Sequence, residues 1–310
     1  MRLVFMGTPQ FAVQPLQALV EARHDVAGVV TRPDKPSGRG RSVSAPPIKR
    51  IADLLGLTLY QPKRVRDAEF IETLRQINPE AIIVAAYGQI LPREILSLPV
   101  HGCINIHASL LPLYRGAAPI NWAIIRGEVQ SGNTIMQMDE GMDTGSILMQ
   151  ESVPIEPGDT AGTLSQKLSA LGARLITAAL PLITAGKIAP LSQDDSKATV
   201  APLLKKTDGL IDWSSSALEI HNRVRGLTPW PGAYTFLDGN VIKILEAEAL
   251  PGNGEPGLIS LKEKDVLDAG AGEGTVRILR IQPAGKKPMA AADFLRGHKT
   301  LAGKRFQNTR

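Results

Sequence analysis

Residues 104–116 read INIHASLLPLYRG and set an Asn and a His two positions apart, where an apolar run gives way to a proline-stiffened turn. Successive side chains of an extended chain point to opposite faces, so Asn105 and His107 share one face while Ile104 and Ile106 share the other. An Asn amide donates to an oxygen that is gaining negative charge, and an imidazole moves a proton near neutral pH or holds positive charge beside such an oxygen. Further along, residues 136–148 read MQMDEGMDTGSIL, a strand-like run ending in an acid- and glycine-rich loop that contains Asp143. A carboxylate brought beside a His fixes its tautomer, stabilises its charged form or relays a proton through water. Taken singly, a His satisfying one buried hydrogen bond and an Asp capping an Asx turn are the plainer readings. Together, at one strand end with an acidic loop to match, they favour a site. The loop lacks the alternating ligands and final Glu of a calcium-binding loop, and no metal is expected.

Strand ends are where α/β proteins place such residues, so the surrounding pattern matters. Through the first 180 residues, strand-like runs at 2–7, 25–31, 81–88, 102–107 and 132–138 alternate with helical patterns at 9–23, 70–79, 118–127 and 159–186. Residues 81–88, AIIVAAYG, are so continuously apolar that the strand is expected to be buried on both faces, as in a parallel sheet. The alternation predicts a doubly wound, mostly parallel, Rossmann-like α/β domain over 1–188. Residues 189–206 are polar, proline-punctuated and aperiodic, and read as a linker. Beyond them come one short helix and several short strands, with a hairpin signal at Asp238-Gly239-Asn240. These predict a small OB-like β-barrel over 207–310.

Composition narrows the choice. A chain of 310 residues with 43% hydrophobic and 21% charged content is an ordinary globular protein rather than a disordered one. The start, MRLVFMGTPQF, lacks a signal-peptide pattern, and no stretch approaches about 18 uninterrupted apolar residues, so a cytoplasmic protein without a membrane partner is expected. The single cysteine, Cys103, excludes an intramolecular disulfide and reads as a small packed hydrophobe. The net charge of +5 is concentrated in two places. Residues 31–50 hold six basic side chains against Asp34 alone, and residues 271–310 hold nine against Glu273 and Asp293. Two separated basic clusters suit a nucleic acid.

The ordered series GTPQFAV, TRPDKPSGRG, AAYGQILP, NIHASLLPLYRG, RGAAPINWAI, TIMQMDEGMDTG, LTPWPGAY and QPAGKKPM resembles the 10-formyltetrahydrofolate-dependent formyltransferases over nearly the whole length. The likeness is to the branch that formylates Met-tRNA. It implies transfer of a formyl group from 10-formyltetrahydrofolate, the cosubstrate, to the α-amine of methionine on initiator Met-tRNA, for translation initiation. It makes Asn105, His107 and Asp143 the catalytic set. Asn105 and a charged or donating His107 would serve the oxyanion of a tetrahedral species. Asp143 would orient His107 and help carry a proton from the amine toward N10 of the folate. The folate contacts it implies are Ser109, Leu110, Leu111 and Pro112, with Gln89, Ile90, Leu91 and Asp139 beside the pterin. For tRNA it implies Arg39 and Arg41 in the basic loop; in the tail region Lys286 and Lys287 are candidate phosphate contacts, with a purely solvated pair as the alternative. A monomer is the default.

Other readings fit less well. A dinucleotide-binding oxidoreductase needs a G-x-G-x-x-G turn that MGTPQF does not supply. A serine hydrolase built on His107, Ser109 and Asp143 lacks a G-x-S-x-G elbow. A purely RNA-binding protein leaves the Asn, His and Asp idle. The nearest alternative is a related formyltransferase acting on a small amine or a nucleotide sugar, which the basic loop and barrel disfavour.

Overall fold

A computed structural model describes residues 1–37, 42–261, 265–298 and 300–309. Arg39 and Arg41 therefore lie outside the described residues. The chain divides into two compact units, the first comprising residues 1–119, 130–154 and 165–201, the second residues 120–129, 155–164 and 202–310.

The first unit is built on a seven-stranded sheet. Its strands are β1 (Arg2–Gly7), β2 (Asp25–Val30), β3 (Leu59–Tyr60), β4 (Ala81–Ala85), β5 (Cys103–His107), β6 (Gln130–Gln137) and β7 (Ile147–Pro154). In space the order is β7-β6-β5-β4-β1-β2-β3. The five from β5 to β3 run parallel, whereas β6 is antiparallel to β5 and to β7, so the sheet is mixed but mostly parallel. Every residue of β4 and β5 is buried, which is why both read as unbroken apolar runs apart from Asn105 and His107. The chain leaves β1 toward one edge and returns through β4 toward the other. That reversal opens a crevice beyond the strands' carboxyl ends.

Helices α1 (Val13–Glu21), α2 (Pro47–Leu54), α3 (Ala68–Ile77), α4 (Arg93–Leu96) and α5 (Pro119–Ile125) join these strands. The pattern at 159–186 forms a single helix, α6 (Ala161–Thr184). It is long and apolar enough to cross a membrane by composition. Its Leu168, Leu171, Leu175, Ile176 and Leu180 are buried in the fold, which accounts for that apolarity. Its Gly172 lets the helix lie close to the sheet: a Cβ there would come within 2.7 Å of both Ile106 Cγ2 and Asn133 Nδ2.

In the second unit, α7 (Ala217–Gly226) opens with a capping box, Ser216 and Glu219 each bonding the other's backbone N–H. Six strands follow, β8 (Ala233–Leu237), β9 (Asn240–Leu250), β10 (Ile259–Ser260), β11 (Leu267–Gly270), β12 (Thr275–Pro283) and β13 (Met289–Ala290), before α8 (Ala291–Gly297). The sheet is antiparallel in the order β8-β9-β12-β11-β10, with β13 beside β12. It curls, and the chain's end stitches its edges. Gln307 exchanges two backbone bonds with Phe236 in β8, while Phe306 N–H donates to Gly257 and Ile259 N–H to Lys304. Phe306 stacks on Trp213 with centroids 5.2 Å apart, inside a core that also holds Ile220, Val224, Ile244 and Ile278. The OB-like reading of the sequence corresponds to this curled sheet.

Candidate active site

The register delivers Asn105 and His107 to one place. In the β5–β6 ladder Asn105 lies opposite Met136 and His107 opposite Thr134, and the strand ends just beyond His107. Asp143 sits in the loop between β6 and β7 with φ 55, the left-handed region that Asp tolerates better than most residues. The loop is held tightly at Gly145, where a Cβ would stand 1.8 Å from the Gln137 carbonyl oxygen. This brings Asp143 Oδ1 to 3.5 Å from Asn105 Nδ2 and Oδ2 to 3.7 Å from His107 Nδ1. The Gly116 N–H donates to the same Oδ2 at 2.8 Å. Asn105 and His107 are 9% and 5% exposed, enough to reach a bound molecule yet largely out of water.

The His107 tautomer follows from its other neighbour. Nε2 lies 3.0 Å from the Tyr114 carbonyl, and a carbonyl only accepts, so Nε2 carries the proton. Nδ1 is then the nitrogen that exchanges its proton, and it faces Asp143. At 3.7 Å the two do not share a direct hydrogen bond, but they lie within Coulombic range of each other.

Several of the other candidates make hydrogen bonds within the fold. Ser109 is 1% exposed and donates its hydroxyl to the Leu113 carbonyl at 2.6 Å. Thr134 accepts from Leu111 N–H and donates to the Ser109 carbonyl, while Gln150 donates to the Leu111 carbonyl. Leu111 is buried, and Leu110 packs over Gly132. The 109–112 turn is therefore rigid, with side chains that mostly face inward and only Leu110 and Pro112 partly exposed. Asp139 is exposed and shapes its own loop, accepting from Gly141 N–H and Thr144 Oγ1. Gln89 caps Val65 N–H, and Leu91 is buried. Ile90, by contrast, is 87% exposed. Met142 and Leu113, on the loops after β6 and β5, are also exposed, and no sequence pattern singled them out. Burial pushes the Cys103 thiol up to about 12, which leaves it inert, as expected of a packed hydrophobe. Lys286 and Lys287 stand exposed in the turn between β12 and β13.

The segment 189–206, read as a linker, is tied to this site. Val200–Ala201 runs parallel to Arg115–Gly116, and Gln193 donates to the carbonyls of Asp143 and Gly145. A polar stretch without periodicity gives no warning of such pairing, because its partners lie far away in sequence.

An amide donor, an imidazole and a carboxylate at a sheet's carboxyl end, with the nearby hydroxyl and thiol both committed to packing, equip an enzyme that passes an acyl group between two bound molecules. The chain belongs to the formyl transferase family: residues 1–180 match the formyl transferase domain and residues 203–299 the formyl transferase C-terminal domain. It is 51% identical to a methionyl-tRNA formyltransferase of Caldanaerobacter subterraneus subsp. tengcongensis over 98% of this chain and 99% of that one. It is 52% identical to one of Thermodesulfovibrio yellowstonii over 97% of each. Among solved structures, the N-formyltransferase from Helicobacter canadensis in complex with folinic acid and dTDP-3-aminofucose shares the fold, with a TM-score of 0.68 and 19% identity over 91% of this chain and 98% of that one. HypX from Aquifex aeolicus in complex with tetrahydrofolic acid gives a TM-score of 0.64 at 18% identity, over 95% of this chain and 47% of that one.

Proposed function

We propose that this formyltransferase moves the formyl group of 10-formyltetrahydrofolate onto the α-amine of methionine carried by initiator Met-tRNA. The observation that carries this reading is the likeness to methionyl-tRNA formyltransferases at about half identity, running through both units rather than the catalytic one alone. The sugar-modifying alternative has only a shared fold in its favour.

The strand ends suit a flat heteroaromatic ligand. Ile90, Leu113 and Met142 offer exposed apolar surface on the loops after β4, β5 and β6, and Leu113 directly follows the rigid 109–112 turn. The Gln89–Leu91 and Ser109–Pro112 segments would hold the folate mainly through backbone groups, with Ile90 against a ring face and the Asp139 loop flanking it. The folate supplies an activated formyl group when bound. Asn105 donates its amide N–H to the formyl oxygen as that oxygen gains charge. His107, held by the Tyr114 carbonyl, presents Nδ1 toward Asp143 and adds positive charge when protonated. Asp143 takes the proton released by the attacking amine, through water or through His107, and the proton passes on to N10 as the bond from the formyl carbon to N10 breaks and frees tetrahydrofolate.

Residues 1–188 form the catalytic domain and 207–310 the tRNA-binding domain, joined by 189–206. Arg39, Arg41, Lys286 and Lys287 contact RNA, and the enzyme works in the cytoplasm as a monomer. The test is incorporation of labelled formyl from 10-formyltetrahydrofolate into initiator Met-tRNA, with elongator Met-tRNA and free methionine as controls. Formylation of the initiator species alone is expected; folate turnover without a Met-tRNA product would move the substrate to a small amine.

A further inference from the structure

Gln193 joins two loops that the chemistry needs in register. Its Nε2 donates to the Asp143 carbonyl at 2.8 Å and to the Gly145 carbonyl at 2.7 Å. Its Oε1 accepts from Arg115 Nε at 3.1 Å and Nη2 at 2.8 Å. A primary amide has two N–H donors and one carbonyl, so every group is engaged. Arg115 lies between the two residues that touch the site, Tyr114, whose carbonyl holds His107 Nε2, and Gly116, whose N–H holds Asp143 Oδ2. The strap around Gln193 is itself fixed. Leu191 exchanges two backbone bonds with Ile147, Thr199 Oγ1 accepts from Tyr114 N–H, and the Thr199 carbonyl accepts from Arg115 N–H.

We propose that Gln193 is a positioning residue for formyl transfer, locking the main chain at Asp143 so that its carboxylate faces Asn105 and His107. This rests on the reading of Asp143 as catalytic. The left-handed φ at Asp143 is a conformation that a non-glycine residue leaves readily unless its surroundings enforce it. Gln193 supplies that constraint from outside the loop. No shorter or differently charged side chain does the same: Asn lacks a methylene of reach, and Glu keeps the Arg115 contact but sets a carboxylate against two carbonyl oxygens.

The experiment compares the full-length enzyme with Gln193→Leu, Gln193→Glu, Asp143→Ala and the double variant Gln193→Leu/Asp143→Ala, using initiator Met-tRNA and 10-formyltetrahydrofolate, with a thermal melt for each. Gln193→Leu and Gln193→Glu are expected to lower kcat about 10- to 100-fold while both KM values stay within about twofold and the melts show each variant fully folded at the assay temperature, since a loss of folded protein would lower apparent kcat at unchanged KM. In the Asp143→Ala background, whose main-chain carbonyl is intact, Gln193→Leu should lower kcat by no more than about another twofold. A crippled Asp143→Ala beside near-normal Gln193→Leu and Gln193→Glu overturns the positioning role alone, as does a Gln193→Leu effect that multiplies undiminished in the double variant. Near-normal turnover by Asp143→Ala removes the catalytic reading, and the proposal with it.

Discussion

Asp143 divides its two oxygens between neighbours, Oδ1 toward Asn105 and Oδ2 toward His107 and the Gly116 N–H. In the role proposed for Asn105, removing its amide would leave the developing negative charge one donor short in a largely water-free site. Asn105→Ala should therefore lower kcat about 100- to 1,000-fold with little change in thermal stability, and a rate within tenfold of the parent would rule out the oxyanion role. His107→Ala and Asp143→Ala should be similarly damaging. At this scale the site was partly legible. Asn105 and His107 advertise themselves because polar residues two apart in an apolar strand have no packing purpose, and Asp143 because an acidic, glycine-flanked loop follows the neighbouring strand. Gln193 does not, since its partner Asp143 lies 50 residues away and its own surroundings are polar. The Ser109 hydroxyl donates to the Leu113 carbonyl within the rigid turn, a bond between neighbours that no periodicity announces.

The elements set tolerances on these residues. Gly172 of α6 sits against Ile106, the residue between Asn105 and His107. Gly172→Ala pushes a methyl into Ile106 and Asn133, and such overpacking should cost about 1–3 kcal/mol. It should also lower kcat, because β5 yields where the helix presses; a melt and a turnover assay together check both. In the second unit, His221 of α7 has its Nδ1 2.7 Å from the Ala247 carbonyl of β9. Burial, reinforced by the nearby Arg225, holds this ring's pKa below its usual value. The unfolded chain takes up that proton near pH 6.5, whereas the folded chain does so only at lower pH. The stability contributed by the neutral ring is thus present above about pH 6.5 and is lost as pH falls through the depressed folded value. Melting temperatures between neutral and mildly acidic pH should accordingly fall more steeply for the parent than for His221→Gln, and parallel curves would tell against this. The long strands and helices could be read from periodicity. Two-residue pairings such as Val200–Ala201 with Arg115–Gly116 could not, being too short to have a period.

At the scale of the whole molecule, charge placement separates binding from chemistry. The basic excess lies in residues 31–50 and 271–310, away in sequence from Asn105, His107 and Asp143. A folate needs neither cluster, whereas an RNA backbone releases counterions from each phosphate that a Lys or Arg neutralises. Lys286 and Lys287 project from an exposed turn at the end of β12, where a polyanion can approach without disturbing the core around Trp213 and Phe306. If both contact phosphates, Lys286→Ala/Lys287→Ala should raise KM for Met-tRNA and flatten the slope of log KM against log salt by about one to two units. KM for 10-formyltetrahydrofolate should stay where it was. Arg39→Ala should behave in the same sense, weakening the RNA substrate far more than the folate. Equal effects on both substrates, or an unchanged salt slope in the double lysine variant, would mean that these cations merely keep the protein soluble and that RNA is held elsewhere on its surface.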